Sequence, residues 1–153
     1  MNILIDFDGT VVYEVPEGVC QVDTGAEKVL KKLVKAGHNL ILWTCRNKDP
    51  QNPYNYLTGG IPKNPDSLDE AILWFKERGI PLKAVNEVPG TERFIGKSVK
   101  PLSHCVIDNT NLGIPKRRDI VDCRYYNGST GKVLAGCVDW VKVEELLIKE
   151  GLL

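Results

Sequence analysis

The sequence feature that most constrains this chain is a short apolar run, Ile3-Leu4-Ile5, that leads directly into Asp6-Phe7-Asp8-Gly9-Thr10. Because β-branched residues flank its leucine, the run predicts a strand buried on both faces, as in the middle of a parallel sheet. Two carboxylates at the end of such a strand are unfavourable unless a cation or hydrogen bonds offset their charge. The carboxyl end of a strand is also where ligands bind in open α/β sheets. We therefore expect the functional site at this point.

The two carboxylates suit phosphoryl chemistry. Asp6, at the strand end, can attack a phosphoryl group and form an aspartyl-phosphate. Alternate side chains of an extended segment diverge, so Asp8 can transfer a proton without crowding Asp6. Gly9 permits a tight turn whose backbone amides can reach a phosphate, and Thr10 adds a hydroxyl donor. An Asp-Gly pair alone also begins hairpins, but an apolar strand followed by D-x-D-G-T favours a catalytic site.

This stretch resembles motif I of the haloacid dehalogenase-like (HAD) superfamily, most of whose members are Mg²⁺-dependent phosphatases. The resemblance implies that Asp6 is the nucleophile and that Asp8 is the general acid/base. It also implies a Mg²⁺ ion held by the Asp6 carboxylate and the Asp8 backbone carbonyl.

The composition indicates a single domain over residues 1–153, with 42% apolar and 26% charged residues, as is ordinary for a globular protein. Twenty basic residues balance twenty acidic ones, so bulk charge indicates no nucleic-acid partner. No apolar stretch approaches the roughly 20 residues that span a bilayer, and the motif occupies the place of a removable signal peptide. The cysteines are odd in number and form no C-x-x-C pair, which predicts reduced thiols in a cytoplasmic protein; they are Cys20, Cys45, Cys105, Cys123 and Cys137.

Apolar strands alternate with amphipathic helices, which predicts an α/β fold, a three-layer α/β/α sandwich around a Rossmann-like parallel sheet. Later strands are predicted at 39–43, 82–85 and 105–107. Residues 11–22 contain the turn signal Pro16-Glu17-Gly18 and are predicted to form a hairpin flap over the mouth of the site. The short distance to the next helix leaves no room for a cap domain there. Segment 47–66, which is rich in proline, is predicted to be either a substrate-facing lid or a mobile excursion.

Three amphipathic helices are predicted, and each begins with a recognisable cap. Capping boxes at Thr24–Glu27 and Ser67–Glu70 begin the first two, and Asp139 caps the third. The first two helices are expected to stop at Gly37 and Gly79. The third is expected to direct four apolar side chains inward, namely Trp140, Val143, Leu146 and Leu147.

The second predicted strand ends in Thr44-Cys45-Arg46, and a hydrophobic strand that closes in Thr or Ser is similar to HAD motif II. The Thr44 hydroxyl can donate to a phosphoryl oxygen beside Asp6. The planar fork of Arg46 suits an anionic substrate, with an ordinary surface salt bridge as an equal alternative. Cys45 is a candidate substrate contact by its position, although a thiol packed in the core is the favoured interpretation.

The strand at 105–107 ends in Asp108, which the strand order can bring beside Asp6 to complete an all-oxygen Mg²⁺ site. A lysine before the strand supplies the positive charge that crowded carboxylates require. This region resembles HAD motifs III and IV. By position, the resemblance implies Lys100 as the catalytic lysine, with Lys97 as the alternative, and Asp108 as a metal ligand.

Two positions depart from the family pattern. Asn109 stands where the second acid of an Asp-Asp pair is usual, and the lost negative charge is expected to weaken Mg²⁺ binding. His104 replaces the acid four residues before Asp108. We interpret His104 as a partly buried strand-entry residue in preference to a substrate contact.

Together these features predict a capless, Mg²⁺-dependent HAD-like phosphatase that acts on a small phosphorylated substrate. Its catalytic residues are Asp6, Asp8, Thr44 and Lys100, its substrate contacts Gly9, Thr10, Cys45 and Arg46, and its metal ligands Asp6, Asp8 and Asp108. Neither a membrane nor a nucleic acid is indicated, and a homo-oligomer is left open.

Two alternatives remain. A receiver-type phosphotransfer switch would carry its phosphorylated aspartate after a later strand, which D-x-D-G-T on the first strand argues against. A phosphate-binding protein with little turnover has one supporting residue, Asn109.

Overall fold

The computed structural model describes residues 1–15, 18–46, 67–87, 103–117, 119, 126–127, 132–133 and 136–153. The helices in this part of the chain are α1 (Ala26–Lys35), α2 (Ser67–Glu77) and α3 (Trp140–Lys149). The strands are β1 (Asn2–Ile5), β2 (Val12–Val15), β3 (Gly18–Asp23), β4 (Asn39–Leu42), β5 (Leu82–Val85), β6 (Cys105–Ile107), β7 (Lys116–Arg117), β8 (Tyr126–Asn127), β9 (Lys132–Val133) and β10 (Cys137–Val138).

Four of the strands form one parallel sheet in the order β5-β4-β1-β6. The strand that precedes the two carboxylates is therefore an inner strand. Ile5 at its end lies opposite Leu42 of β4 on one side and Ile107 of β6 on the other. The α/β fold and the parallel sheet predicted from the sequence are confirmed, and the carboxyl ends of β4, β1 and β6 meet at one edge.

The main core lies between this sheet and the three helices. Ile3 and Ile5 belong to it, together with buried residues of α1, α2 and α3. Trp74 and Phe75 of α2 are part of this core. Leu4 points to the opposite face, where it packs in a smaller cluster with Ile41, Ala84 and Trp43. Both faces of β1 are therefore buried, as the unbroken apolar run indicated.

The hairpin predicted after the first motif is present, because β2 and β3 pair in antiparallel fashion. Its central turn and segment 47–66, the predicted lid, lie outside the described residues. Within the described residues, no helix is both long and apolar enough to cross a membrane.

The capping box predicted at Thr24 is wrong. Helix α1 begins after Gly25, which has a left-handed φ of 95°. Because glycine has no side chain, Gly25 cannot cap the helix with one. The Thr24 hydroxyl instead donates towards the carbonyls of Thr10 and Val11, at 2.7 and 2.8 Å. Asp23 supplies the cap, because its Oδ1 accepts from the amides of Gly25 and Ala26 at 3.0 Å each.

The start of α3 is as predicted, with the Asp139 side chain accepting from the Lys142 amide. Trp140, Val143 and Leu147 are buried, but Leu146 is 42% exposed, so its predicted inward position is wrong. At 100° per residue, Leu146 lies about 90° round the helix from the centre of the stripe that the other three residues form.

Candidate active site

Asp6 and Asp108 follow the ends of two adjacent strands. The Asp6 amide donates to the Ile107 carbonyl at 3.0 Å, which continues the β1–β6 ladder to the edge of the sheet. Asp108 is the next residue after Ile107, and its Oδ1 accepts from the Thr110 amide at 2.7 Å and the Thr110 hydroxyl at 2.6 Å. The adjacency of β1 and β6 expected from the sequence is therefore present.

Burial and neighbouring charges make ionisation of Asp6 unfavourable. Desolvation is the largest cause, followed by the carboxylates of Asp108 and Asp8, and together they raise the pKa of Asp6 from 3.8 to about 7. The Thr10 hydroxyl and the Phe7 backbone lower it in part by donating hydrogen bonds. A carboxylate pair of this kind is stable in its ionised form only with added positive charge.

Thr10 anchors the loop that carries the two carboxylates. Its hydroxyl donates to Asp6 Oδ2 at 2.9 Å and accepts from the Asn109 amide at 2.9 Å. Its carbonyl accepts from the Thr24 hydroxyl and from Trp140 Nε1, both at 2.7 Å. Thr10 is fully buried. Its hydroxyl thus holds one oxygen of Asp6 in place.

Gly9 has the positive φ, 76°, that its turn requires. Its amide donates to the Val12 carbonyl at 2.7 Å, and its carbonyl accepts from the Val138 amide at 2.9 Å. The Thr10 amide donates to the Phe7 carbonyl at 3.3 Å. In this structure the amides that were expected to reach a phosphate close the turn itself.

The Asp8 carboxylate pairs with Arg46. Arg46 Nε donates to Asp8 Oδ1 at 3.1 Å and to Oδ2 at 2.9 Å, and Nη2 donates to Oδ1 at 2.7 Å. Both residues are buried, with 7% and 8% of their surfaces exposed. Arg46 therefore makes a salt bridge, but a buried one at the site and not the surface pair that was one expectation.

Thr44 and Asn86 shape the backbone that carries Arg46. The Thr44 hydroxyl oxygen accepts a hydrogen bond from the Arg46 amide at 3.2 Å. This contact does not use the hydroxyl hydrogen, which can still be donated to another acceptor. Asn86 follows β5, and its Oδ1 accepts from the Thr44 amide at 2.8 Å. Its φ of 52° is unusual for a residue other than glycine. Sequence reasoning gave Asn86 little weight, and its place directly after a buried strand was the available signal.

Cys45 is exposed, so the prediction of a thiol packed in the core is wrong. Partial burial and then the negative charges of Asp6, Asp108 and Asp8 raise the pKa of its thiol. The thiol therefore lies near these three carboxylates. Its raised pKa favours the neutral form, which is a poor nucleophile.

Other predicted residues lie elsewhere. Lys100 and its alternative Lys97 are outside the described residues. His104 is at the entry of β6, and its Nδ1 accepts from the Asn2 amide at 3.1 Å. This contact lies at the amino end of the sheet, which supports the strand-entry interpretation of His104, but the residue is exposed, so its predicted partial burial is wrong.

Asn109 is fully buried beside Asp108, and its side-chain amide is unusual because its polar atoms are unpaired among the described residues. Within the described chain, neither its Nδ2 nor its Oδ1 has a hydrogen-bond partner. Among the described residues, no three His, Cys, Asp or Glu side chains are grouped so as to hold a metal ion. Oxygen donors for a cation at this edge would therefore come from Asp6 and Asp108 together with backbone groups and water.

No protein-family model matches the chain, and no curated protein matches it. A solved structure described as that of a conserved protein coded by a locus from Bacteroides thetaiotaomicron is similar. It is 29% identical, the match covers 99% of this chain and 91% of that chain, and the TM-score is 0.59. The similarity thus extends over nearly all of both chains, and that description names no activity.

Proposed function

We propose that this protein is a Mg²⁺-dependent, HAD-like phosphatase, a capless three-layer sandwich that hydrolyses phosphomonoesters through an aspartyl-phosphate on Asp6. The observation that carries the proposal is the pair of carboxylates, Asp6 and Asp108, at the ends of adjacent strands, with the pKa of Asp6 raised to about 7. Such a pair destabilises the fold unless the site binds positive charge. A reaction that uses a bound cation would account for the presence of this carboxylate pair.

The donors at this edge fit Mg²⁺, which prefers oxygen ligands and usually keeps several waters. The carboxylates of Asp6 and Asp108 and the backbone carbonyl of Asp8 would hold it. When bound, Mg²⁺ supplies positive charge that offsets the carboxylate pair and polarises phosphoryl oxygens.

The side chains divide the reaction between them. The Thr10 hydroxyl holds Asp6 Oδ2, which leaves Oδ1 to bond to phosphorus as the ester P–O bond breaks. Asp8 enters this step with a proton on one carboxyl oxygen and gives that proton to the leaving oxygen, so that it becomes the carboxylate with which Arg46 pairs. It then takes one from the water that attacks phosphorus and releases phosphate from Asp6. The Thr44 hydroxyl would donate to a phosphoryl oxygen, and Lys100 keeps the role that the resemblance gives it.

The test is hydrolysis of para-nitrophenyl phosphate with Mg²⁺ or with EDTA. Wild-type activity should need Mg²⁺, and Asp6→Asn should abolish it, by at least about 10³-fold. The matched control is Asp119→Asn, since Asp119 is exposed and pairs with Arg117 at 2.8 Å. Equal activity in wild type and Asp6→Asn would refute the proposal.

A second experiment, reaction of the protein with acetyl phosphate, distinguishes the alternative functions. Acetyl phosphate can phosphorylate Asp6 directly, and rapid turnover would favour the hydrolase. A phosphoenzyme that persists in the wild type would favour a switch. In Asp8→Asn the phosphoenzyme is expected to accumulate, because the group that activates water is gone.

A further inference from the structure

Arg46 faces Asp8 with the edge of its guanidinium group. We propose that Arg46 is a positioning residue that fixes the Asp8 carboxylate for proton transfer, and that it does not bind the substrate's phosphoryl group. The inference rests on the proposed function, in which Asp8 transfers the proton, and it assigns Arg46 a role other than that of an anion clamp.

The geometry of the pair is the first argument. Nε and Nη2, which form one edge of the guanidinium, together make three contacts of 2.7 to 3.1 Å with the two oxygens of Asp8. This edge is a fork that matches one carboxylate or one phosphate at a time. A phosphoryl group could use it only by displacing Asp8, the residue on which the proton transfers depend.

The surroundings of the guanidinium are the second argument. Its central carbon lies 4.7 Å from the centre of the Phe7 ring, which packs against one face. Nη1 is 3.5 Å from a Glu70 carboxylate oxygen of α2. The two side chains of the Arg46–Asp8 pair are about nine-tenths buried. An incoming phosphate dianion would therefore meet the negative charges of Asp8 and Glu70 before it reached Arg46.

The backbone supports the same role. The Arg46 amide donates to Thr44 Oγ1 at 3.2 Å, and Asn86 binds the segment through the Thr44 amide at 2.8 Å and the Arg46 carbonyl at 3.5 Å. The side chain of Arg46 thus leaves a fixed segment and ends in a fixed contact. Such a chain of contacts holds a proton-transfer group in one orientation, and a misplacement of about 1 Å can reduce a rate by about 10²-fold.

The two roles predict different effects on different leaving groups. An alkyl leaving oxygen needs a proton as its bond to phosphorus breaks, whereas para-nitrophenolate leaves readily without one. Loss of a positioning residue for Asp8 should therefore harm alkyl phosphates selectively. Loss of a phosphate clamp should weaken the binding of every phosphate ester.

The experiment compares Arg46→Lys with wild type on glycerol 2-phosphate and para-nitrophenyl phosphate, with Mg²⁺. Lysine keeps the charge and loses the fork. We expect kcat/KM, which reports the steps up to cleavage of the ester P–O bond and not the later hydrolysis of the aspartyl-phosphate, to fall about 30- to 100-fold for glycerol 2-phosphate and less than about 3-fold for para-nitrophenyl phosphate. The inhibition constant of inorganic phosphate, which reports binding alone, should stay within about 2-fold of wild type.

The matched control is Arg78→Lys. Arg78 also lies over an aromatic ring, 4.2 Å from the centre of Trp74, and it is 3.4 Å from Glu27, a carboxylate remote from the site. This change should leave the ratio of the two substrates unaltered. In an Asp8→Asn background, Arg46→Lys should also leave the ratio unaltered, because the group that it positions is absent.

Equal losses on both substrates with a raised KM and phosphate inhibition constant would overturn the proposal, as would no loss at all. The wild-type protein allows a second measurement that does not depend on a folded variant. With ¹⁵N-arginine labelling, the Arg46 Nε–H resonance should not move when inorganic phosphate saturates the Mg²⁺-loaded protein, and a phosphate-dependent shift would overturn the positioning role. If wild type hydrolyses neither ester, the proposed function fails, while this resonance still tests whether Arg46 binds phosphate.

Discussion

Replacement of Asp6 by Asn should stabilise the metal-free protein at alkaline pH while it abolishes hydrolysis. Burial first, and then the charges of Asp108 and Asp8, raise the pKa of Asp6 from 3.8 to about 7. The ionised carboxylate is therefore unfavourable in the folded chain. Asparagine has nearly the same shape, retains an oxygen that can accept from the Thr10 hydroxyl, and carries no charge.

The sign and size follow from linkage. Between about pH 4 and pH 7, the folded protein keeps the Asp6 proton that the unfolded chain has lost, so the free energy of unfolding falls as the pH rises. Above pH 7 both states are ionised, and this residue causes no further change. A shift of about three pKa units at 1.36 kcal/mol each amounts to about 4 kcal/mol. At pH 8 in EDTA, Asp6→Asn should therefore be more stable than wild type by about 4 kcal/mol, and this difference should almost vanish near pH 4.

The assay is urea unfolding of both proteins from pH 4 to pH 8 in EDTA, with the difference in free energy plotted against pH. Glu145→Gln serves as a control, because it makes the same carboxylate-to-amide change at an exposed position of α3. Mg²⁺ should stabilise the wild type at pH 8 more than Asp6→Asn, which lacks the carboxylate charge. A difference that is independent of pH, or a less stable Asp6→Asn at pH 8, would refute the reasoning.

Two further variants test the surroundings of the site. Asn86→Gly keeps the left-handed backbone but loses the contacts to Thr44 and Arg46. Turnover of an alkyl phosphate should therefore fall about 10-fold, while the free energy of unfolding changes by less than about 1 kcal/mol. An unchanged rate would contradict this role of Asn86. Asn109→Asp adds a buried carboxylate beside Asp108, so it should destabilise the protein in EDTA by about 2 kcal/mol or more and increase the stabilisation by Mg²⁺. Thermal unfolding with and without Mg²⁺ measures both effects, and an unaltered response to Mg²⁺ would contradict the second.

The sheet could be predicted from the sequence because its physical signal is local. Runs such as Ile3-Leu4-Ile5 and Cys105-Val106-Ile107 are apolar at consecutive positions, and each is followed directly by an aspartate, whose charge ends the run. Parallel strands place their carboxyl ends at one edge, so the meeting of Asp6 and Asp108 required only that β1 and β6 be neighbours. Lys100 and its alternative Lys97 lie outside the described residues.

The contacts within the site were much harder to predict. D-x-D-G-T indicates that two carboxylates lie together, but nothing in its letters shows that Asp8 turns to an arginine 38 residues away. Arg46 suited a phosphate and a carboxylate equally well, because both present the same pair of oxygens to a guanidinium. Thr24 illustrates the same limit. Its hydroxyl can accept a hydrogen bond from a helix amide or donate one to a carbonyl. In the folded chain the Thr10 carbonyl lies within reach, and the hydroxyl donates to it.

The loop that carries Asp6 and Asp8 is held by groups that are remote in sequence. Thr10 is contacted by the Thr24 hydroxyl, the Trp140 indole and the Asn109 amide, which are 14, 130 and 99 residues away from it. These contacts join the loop to the entry of α1, to the first turn of α3 and to the end of β6. Because the Thr10 hydroxyl in turn holds Asp6 Oδ2, the orientation of the proposed nucleophile depends on the packing of all three elements. A motif of five residues can therefore indicate a candidate nucleophile, but the orientation of that side chain is a property of the whole fold.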